Sequence, residues 1–228
     1  MKILALDSST RIGSVALAEA EQLIAQTELD VDVTHTEKLL PAVEEILKKT
    51  GWELENIEGF AVAIGPGSFT GLRVGLATMK GFALSHNRPL VGISSLEALA
   101  MNGVMSDIPV AALLDAKRGE VYAAVYQFER GIIKEILFKE QAIKPEFLSH
   151  FLKKLGPSWL IGDGALAYRE FFEKNLKGQT FFPPHSMMRL QSKWIAWLAL
   201  PKLQKGEGKN WASLTPNYLR LSDAERTR

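Results

Sequence analysis

The sequence predicts an α/β protein in two lobes, and three observations carry the prediction. An order of three strands followed by a helix occurs twice, across residues 2–50 and again across 110–155. An apolar run at 60–64 breaks at Gly65-Pro66-Gly67 and restarts as a helical pattern over 72–84, the strand-to-helix step of layered α/β folds. Between the two sets, residues 102–107 contain Gly103 and end just before Pro109, a composition that suits a boundary. The expected domains are 1–104 and 105–228, the C-terminal helix being free to pack back on the first lobe.

Residues 2–7 read as a short apolar strand ending at Asp7, and Ser8-Ser9-Thr10-Arg11 as a polar turn. Residues 12–19 alternate well enough for a second strand. Ala20-Glu21-Gln22 then turns the chain into a third strand, 23–29. Residues 30–34 are a polar connector. Over 36–50, Leu39, Leu40, Val43, Ile46 and Leu47 share one helical face, with Glu44, Glu45, Lys48 and Lys49 opposite and Gly51 as the stop. Pro41 has no N–H to donate, so regular helix is expected to begin near it, after an irregular turn at 35–40.

After the helix at 72–84 comes a strand at 90–93. Ser94, with Glu97 three residues on, forms a capping box ahead of Leu96, Leu99 and Ala100. The second set consists of strands at 110–115, 120–128 and 132–139 and helices at 145–155 and 165–175. A strand at 159–161 lies between those helices.

Composition excludes several classes. With 46% hydrophobic residues in 228, the chain can bury a full core. Its 27 basic and 26 acidic side chains give a net charge of +1, without the overall basic excess of a typical nucleic-acid binder. The absence of cysteine removes disulfides, thiolate metal sites and cysteine nucleophiles. The first residues are too soon charged for a signal peptide, and no run reaches the ~20 apolar residues of a membrane helix. The expected location is the cytoplasm.

The densest motif is Gly65-Pro66-Gly67-Ser68-Phe69-Thr70-Gly71-Leu72-Arg73-Val74-Gly75. A strand ending there and a helix starting there would aim backbone N–H groups and the positive end of the helix dipole into one turn, a place for a phosphate or carboxylate. After Gly71 the Lys-Ser/Thr pair of a P-loop is replaced by Leu72-Arg73, and the third glycine falls one residue late for a dinucleotide fingerprint. A plain tight turn, with glycines for close packing, fits the residues equally well.

This segment, whole and in order, resembles the signature of the TsaB (YeaZ) family, partner subunits in bacterial tRNA threonylcarbamoyladenosine synthesis. The resemblance extends to Ile3-Leu4-Ala5-Leu6-Asp7-Ser8-Ser9-Thr10, to His35-Thr36-Glu37-Lys38-Leu39-Leu40-Pro41, and to Pro216-Asn217-Tyr218-Leu219-Arg220. Leu114-Asp115-Ala116-Lys117-Arg118-Gly119-Glu120-Val121-Tyr122 is similar too, with Lys117 where the family has arginine. The resemblance implies a two-lobed actin/Hsp70/sugar-kinase-like (ASKHA, ribonuclease H-like) fold, two mixed sheets flanked by helices.

In that fold, hairpin turns after the first strand of each lobe hold phosphates and a metal. The corresponding candidates are Asp7, Ser8, Ser9 and Thr10, with Gly65 and Gly67, and Asp115 with Lys117. Gly162 and Gly164 could let an adenine or ribose approach the backbone. The plain reading is that Asp and Ser end strands by capping turns, and that 162–165 is an ordinary strand-to-helix loop.

The resemblance also implies a non-catalytic subunit that scaffolds and activates a TsaD-like partner. That partner transfers a threonylcarbamoyl group to adenosine 37 of tRNAs reading codons that begin with A. A TsaE-like ATPase is the third member, and a homodimer forms when TsaD is absent. The implied contact residues are Leu39, Leu40, Val43 and Leu47 on the first helix and Leu72, Gly75, Leu76 and Met79 on the second. Whether those faces pack on the protein's own sheet instead is left open by the sequence. tRNA is reached through the complex, no membrane is involved and no cofactor is tightly bound. ATP or ADP would sit at the cleft or the partner interface.

Catalytic relatives of the TsaD type carry His-x-x-x-His on their first helix, whereas here His35 is followed four residues on by Leu39. No metal site and no nucleophile–base pair is expected. The alternative is a free-standing ASKHA ATPase or phosphotransferase using Asp7 and Asp115 around Mg²⁺, and a metalloprotease is a third, poorer reading.

Overall fold

A computed structural model describes residues 1–30, 35–208 and 210–220, with only the backbone of 29, 30 and 35–37. The connector expected at 30–34 therefore falls mostly outside the described residues. The strands and helices run β1 (Lys2–Asp7), β2 (Ile12–Glu19), β3 (Gln22–Asp30), α1 (His35–Thr50), β4 (Gly59–Gly65), α2 (Phe69–His86), β5 (Leu90–Ser94) and α3 (Ser95–Ala100). They continue with β6 (Val110–Lys117), β7 (Glu120–Glu129), β8 (Ile132–Ile143), α4 (Pro145–Leu155), β9 (Ser158–Ile161), α5 (Asp163–Ala167), α6 (Arg169–Asn175), β10 (Thr180–Phe181) and α7 (Ser192–Gln204).

The strands form two five-stranded mixed sheets, ordered β3-β2-β1-β4-β5 and β10-β9-β6-β7-β8. In the first, β2 runs antiparallel to β1 and to β3, while β4 and β5 run parallel to β1. In the second, β7 runs antiparallel to β6 and β8, while β9 and β10 run parallel to β6. Each sheet thus pairs a three-stranded meander with two parallel strands reached by helical crossovers. The repeat foreseen as strand, strand, strand, helix is a repeat of this topology.

The chain divides into one unit of Met1–Ala98 with Leu190–Asn217 and another of Leu99–Arg189 with residues 218–220. The expected boundary at 104 instead lies at 98, and the segment after Leu190 belongs with the first sheet. The reason is α7, which packs on β1 and β2. Its start is tied down by strand side chains: the Ser192 N–H donates to Ser14 Oγ at 2.9 Å and the Lys193 N–H to Gln26 Oε1 at 3.0 Å.

In the first unit, β1 is buried on both faces from Ile3 to Asp7, as an almost continuous apolar run requires. One face of the sheet presents Leu4, Leu6, Val15, Leu17, Phe60 and Val62 to α1 and α2, which answer with Leu39, Val43, Ile46, Leu76 and Met79. In the second unit, Leu113, Val121, Ala123, Val125 and Leu160 pack with Leu148 and Leu152 of α4 and Phe172 of α6.

Several boundaries differ from expectation for physical reasons. α1 runs unbroken through Pro41, because a proline removes one N–H and Pro41 lies on the exposed side. α2 begins at Phe69 instead of 72, because the Ser68 side chain caps it by accepting the Gly71 N–H at 3.2 Å. The single helix expected at 165–175 is two, broken at Tyr168, which has φ −115° and ψ 22°. The cap at Ser94 is present, its Oγ accepting the Glu97 N–H at 3.2 Å. Among the described residues no helix is long and apolar enough to cross a membrane.

Candidate functional site

The glycine-rich turn of the first unit is built against the β1–β2 hairpin. Ser68 N–H donates to the Ser9 carbonyl at 2.7 Å, and the Ser8 hydroxyl donates to the Gly71 carbonyl at 2.8 Å. Gly67 lies so close that a Cβ there would overlap the Ser9 carbonyl, and a Cβ on Gly75 would overlap Ser8 Oγ. A carbonyl of the C-terminal segment, that of Asn217, would lie 2.8 Å from a Cβ on Gly65, and the Asn217 N–H donates to Ile64 O at 2.7 Å. Asp7, Ser8 and Ser9 are buried, and Asp7 Oδ1 accepts the Ser9 N–H at 2.9 Å. Thr10 donates to Ile12 O at 2.8 Å.

The N–H groups of Ser68 and Gly71 are spent on protein oxygens, and the room left by Gly67 and Gly75 is filled by the hairpin. Of the two readings the motif allowed, the tight packing turn is the one built here.

The second candidate set lies in the other unit. Asp115 Oδ2 holds Lys117 Nζ at 2.7 Å, and its Oδ1 accepts the Lys117 N–H at 2.8 Å. The Asp115 N–H donates to Asp163 Oδ1 at 3.0 Å. Desolvation around the Asp163 carboxyl raises its pKa from the ordinary value, although by surface area the residue is exposed. Its bond from Asp115 N–H pulls the other way, and the Asp115 charge adds to the rise. The hydrogen bond to Asp115 holds Lys117 above its ordinary value. Desolvation, then the Asp115 charge, does the same for the Tyr168 phenol.

Gly162 has φ +120°, and a Cβ there would overlap the Leu113 carbonyl; one on Gly164 would lie 2.8 Å from the Leu114 carbonyl carbon. Both glycines thus make room for β6. Among the described residues no group of three His, Asp or Glu side chains could share a metal, and the His35 side chain lies outside them.

The helix residues named for a partner are placed mostly inward. Leu39, Val43, Leu47, Leu72, Leu76 and Met79 are at most 7% exposed, Gly75 is buried, and only Leu40, at 46%, faces solvent. This corrects the expected interface. The apolar stripe of each helix covers its own sheet, a choice sequence alone left undecided. The face left over on α2 is Thr70, Arg73, Ala77, Gly81 and Leu84, exposed at steps of three and four residues. On α1 it is Leu40, Pro41, Glu44 and Lys48. A further pairing was not foreseen: Arg220 Nη1 donates to Glu120 Oε2 at 3.0 Å, joining two of the sequence blocks singled out above.

Comparison with known proteins gives concordant matches. The family model described as "TsaD: tRNA N6-adenosine threonylcarbamoyltransferase" matches residues 30–226. The tRNA threonylcarbamoyladenosine biosynthesis protein TsaB of Bacillus subtilis is 29% identical over 225 residues, 99% of this chain and 96% of its own length. The protein of the same name from Escherichia coli is 36% identical over 171 residues, 74% of each. YeaZ from Pseudomonas aeruginosa superposes with a TM-score of 0.79 at 26% identity, covering 96% of this chain and 99% of that one. A ROK hexokinase from Thermus thermophilus, at 11% identity and a TM-score of 0.51 over 89% of this chain and all of its own, shares the fold alone. Two mixed sheets of this order flanked by helices are the ASKHA architecture.

Proposed function

We propose, since this chain belongs to the TsaB family of tRNA threonylcarbamoyladenosine biosynthesis proteins, that it acts in that synthesis as a scaffolding and activating subunit without a catalytic centre of its own. Its partner is a TsaD-type subunit, which transfers the threonylcarbamoyl group to adenosine 37 of tRNAs reading codons that begin with A. A TsaE-type ATPase is the third member, and a second copy takes the partner's place when TsaD is absent. The chain holds no resident cofactor. ATP or ADP belongs, in this reading, to the partner interface and not to the two turns.

The observation that carries the reading is the outward face of α2. Gly81 sits inside an exposed helix with nothing within 4 Å of where its Cβ would be. Such a glycine costs about 0.5–1 kcal/mol relative to alanine, and no packing among the described residues requires it. Ala77 and Gly81 together let a second helix approach closely, since the distance between helices is set by the side chains at the contact. Leu84, 65% exposed, supplies an apolar anchor at its end, and Leu40 is a second exposed leucine on α1.

A free-standing phosphotransferase is supported less well. Asp7 is fully buried and serves its own turn, and Asp115 is held by Lys117.

The test is partner binding by Ala77→Glu and Leu84→Glu. Both positions are exposed, so circular dichroism and melting should be unchanged. A charge forced into a desolvated contact should weaken binding to the TsaD-type subunit at least about tenfold, which takes ~1.4 kcal/mol. Normal binding by both variants would place the contact elsewhere.

A further inference from the structure

The chain is nearly neutral overall, yet its lysines are not evenly spread. In the second unit, β6, β8, β9 and β10 all point the same way. Helices α4 and α6 each carry the chain from the end of one such strand to the start of the next, so both finish at the same end of the sheet. A hydrogen bond from Ser158 N–H to Gln179 O, 2.9 Å, ties the loop after α4 to the loop after α6. Lys153 and Lys154 occupy the last turn of α4, Lys174 the last turn of α6, and Lys177 the loop beyond it. All four are exposed, and none forms an ion pair or hydrogen bond among the described residues.

The negative groups at that end do not cancel them. Glu173 is held by Arg169 at 2.7 Å and Glu129 by Lys134 at 3.0 Å. Asp107 is exposed there, the exposed Glu135 near the start of β8 is offset in the count by the exposed Arg130 in the turn before it, and Glu170 lies one turn back along α6. Each helix C-terminus contributes about half a negative charge. Four full positive charges against two half charges and Asp107 leave a surplus of about two, concentrated on one rim.

We infer that this rim, formed by Lys153, Lys154, Lys174 and Lys177, is a docking surface for the phosphate backbone of an RNA, the tRNA substrate of the complex. The inference rests on the function proposed above and adds a direct tRNA contact to it. Lysine favours this occupant over a protein. It is depleted in protein–protein interfaces, where aromatic residues, methionine and arginine dominate, and it is a standard point-charge contact to backbone phosphates. Contacts of this kind position the RNA and carry no sequence information, so specificity stays with the catalytic partner.

The experiment measures binding of an unmodified tRNA transcript, with an anticodon reading a codon that begins with A, by fluorescence anisotropy over a range of salt. It is run with the chain alone and with the chain bound to its TsaD-type partner. The variant replaces all four lysines (Lys153→Ala, Lys154→Ala, Lys174→Ala, Lys177→Ala). Four phosphate contacts at about 0.7–0.9 each should lower the log–log salt slope by roughly 3, with at least a ~10-fold loss of affinity near physiological salt. The four corresponding Lys→Arg changes should restore both. Lys144→Ala, at the opposite end of the unit, should change neither.

Partner binding is followed on the same samples. An unchanged slope and affinity in the four-alanine variant, with the partner still bound, overturns the inference and leaves the proposed function standing. Loss of partner binding with tRNA affinity retained overturns it as well, by assigning the rim to a protein contact. If the unsubstituted chain does not bind the partner, the proposed function falls, and the measurements on the chain alone still judge the rim.

Discussion

Ser14 and Ser192, 178 positions apart, form a closed hydrogen-bonded pair at the start of α7. Their hydroxyls are 2.8 Å apart, Ser14 Oγ accepts the Ser192 N–H at 2.9 Å, and the Ser192 hydroxyl donates to the Ser14 carbonyl at 2.7 Å. Both residues are fully buried. The pair satisfies one N–H at the helix start that would otherwise be stranded away from water. Ser14→Ala strands that donor, at a cost of about 1–3 kcal/mol. At roughly 2–4 °C per kcal/mol for a protein of this size, the melting temperature should fall by several degrees. Ser192→Ala keeps the N–H bond and should cost less. Equal melting of both variants and the unsubstituted chain would show that the pair does not hold α7.

Gly75 and Gly81 occupy one helix and should respond oppositely to alanine. A Cβ on Gly75 would overlap Ser8 Oγ and lie 2.9 Å from Leu6, so α2 must shift off the hairpin. Overpacking of that kind costs about 1–3 kcal/mol. At Gly81 the new methyl meets nothing, and alanine gains about 0.5–1 kcal/mol from helix propensity and a less flexible unfolded chain. Urea midpoints should move down for Gly75→Ala and up for Gly81→Ala. A stabilised Gly75→Ala would refute the packing role assigned to this glycine.

The Asp163 carboxyl sits above its ordinary pKa because burial opposes its ionisation. Its contribution to stability is therefore fully present below the unfolded value of about 3.9 and is lost as pH rises through the higher folded value. Asp163→Asn keeps an oxygen acceptor for the Asp115 N–H and removes the charge. The variant should match the unsubstituted chain near pH 3 and gain on it in urea midpoint as pH rises through the raised folded value toward pH 7. A disadvantage at pH 7 would mean that attraction to Lys117 outweighs burial.

Much of the architecture was legible in the sequence because strands buried on both faces leave apolar runs bounded by turn residues. Residues 3–7 and 60–64 show this, and the three-strands-then-helix order betrayed the repeated sheet topology. α7 was not legible. Trp194, Trp197, Leu198 and Pro201 make its sequence apolar on every side, so no periodicity marks its inner face. The break at Tyr168 was hidden as well, since no glycine or proline announces it.

The candidate site was legible as a set of helices and not as a set of side chains. Helical periodicity identifies an apolar stripe and is silent on what covers it. Leu39, Val43, Leu76 and Met79 proved to face β1, β2 and β4. Gly81 could have flagged the outer face, because a glycine within an exposed helix has no use in the core. The glycines at 65, 67, 162 and 164 read as ligand room from sequence and Gly75 as a partner contact, whereas neighbouring backbone and side chains lie where their Cβ atoms would be.

The central claim is that the chain contributes a surface and no catalytic centre. It is tested most directly by reconstituting threonylcarbamoyl transfer to an unmodified tRNA with TsaD-type and TsaE-type proteins, adding or omitting this chain. The account predicts no modified adenosine from the chain alone, little without it, and full activity when it is present. Ala77→Glu should remove that stimulation while Asp115→Ala, if still assembled, leaves it intact. Transfer by the chain alone, or loss of activity in an assembled Asp115→Ala complex, would contradict the account.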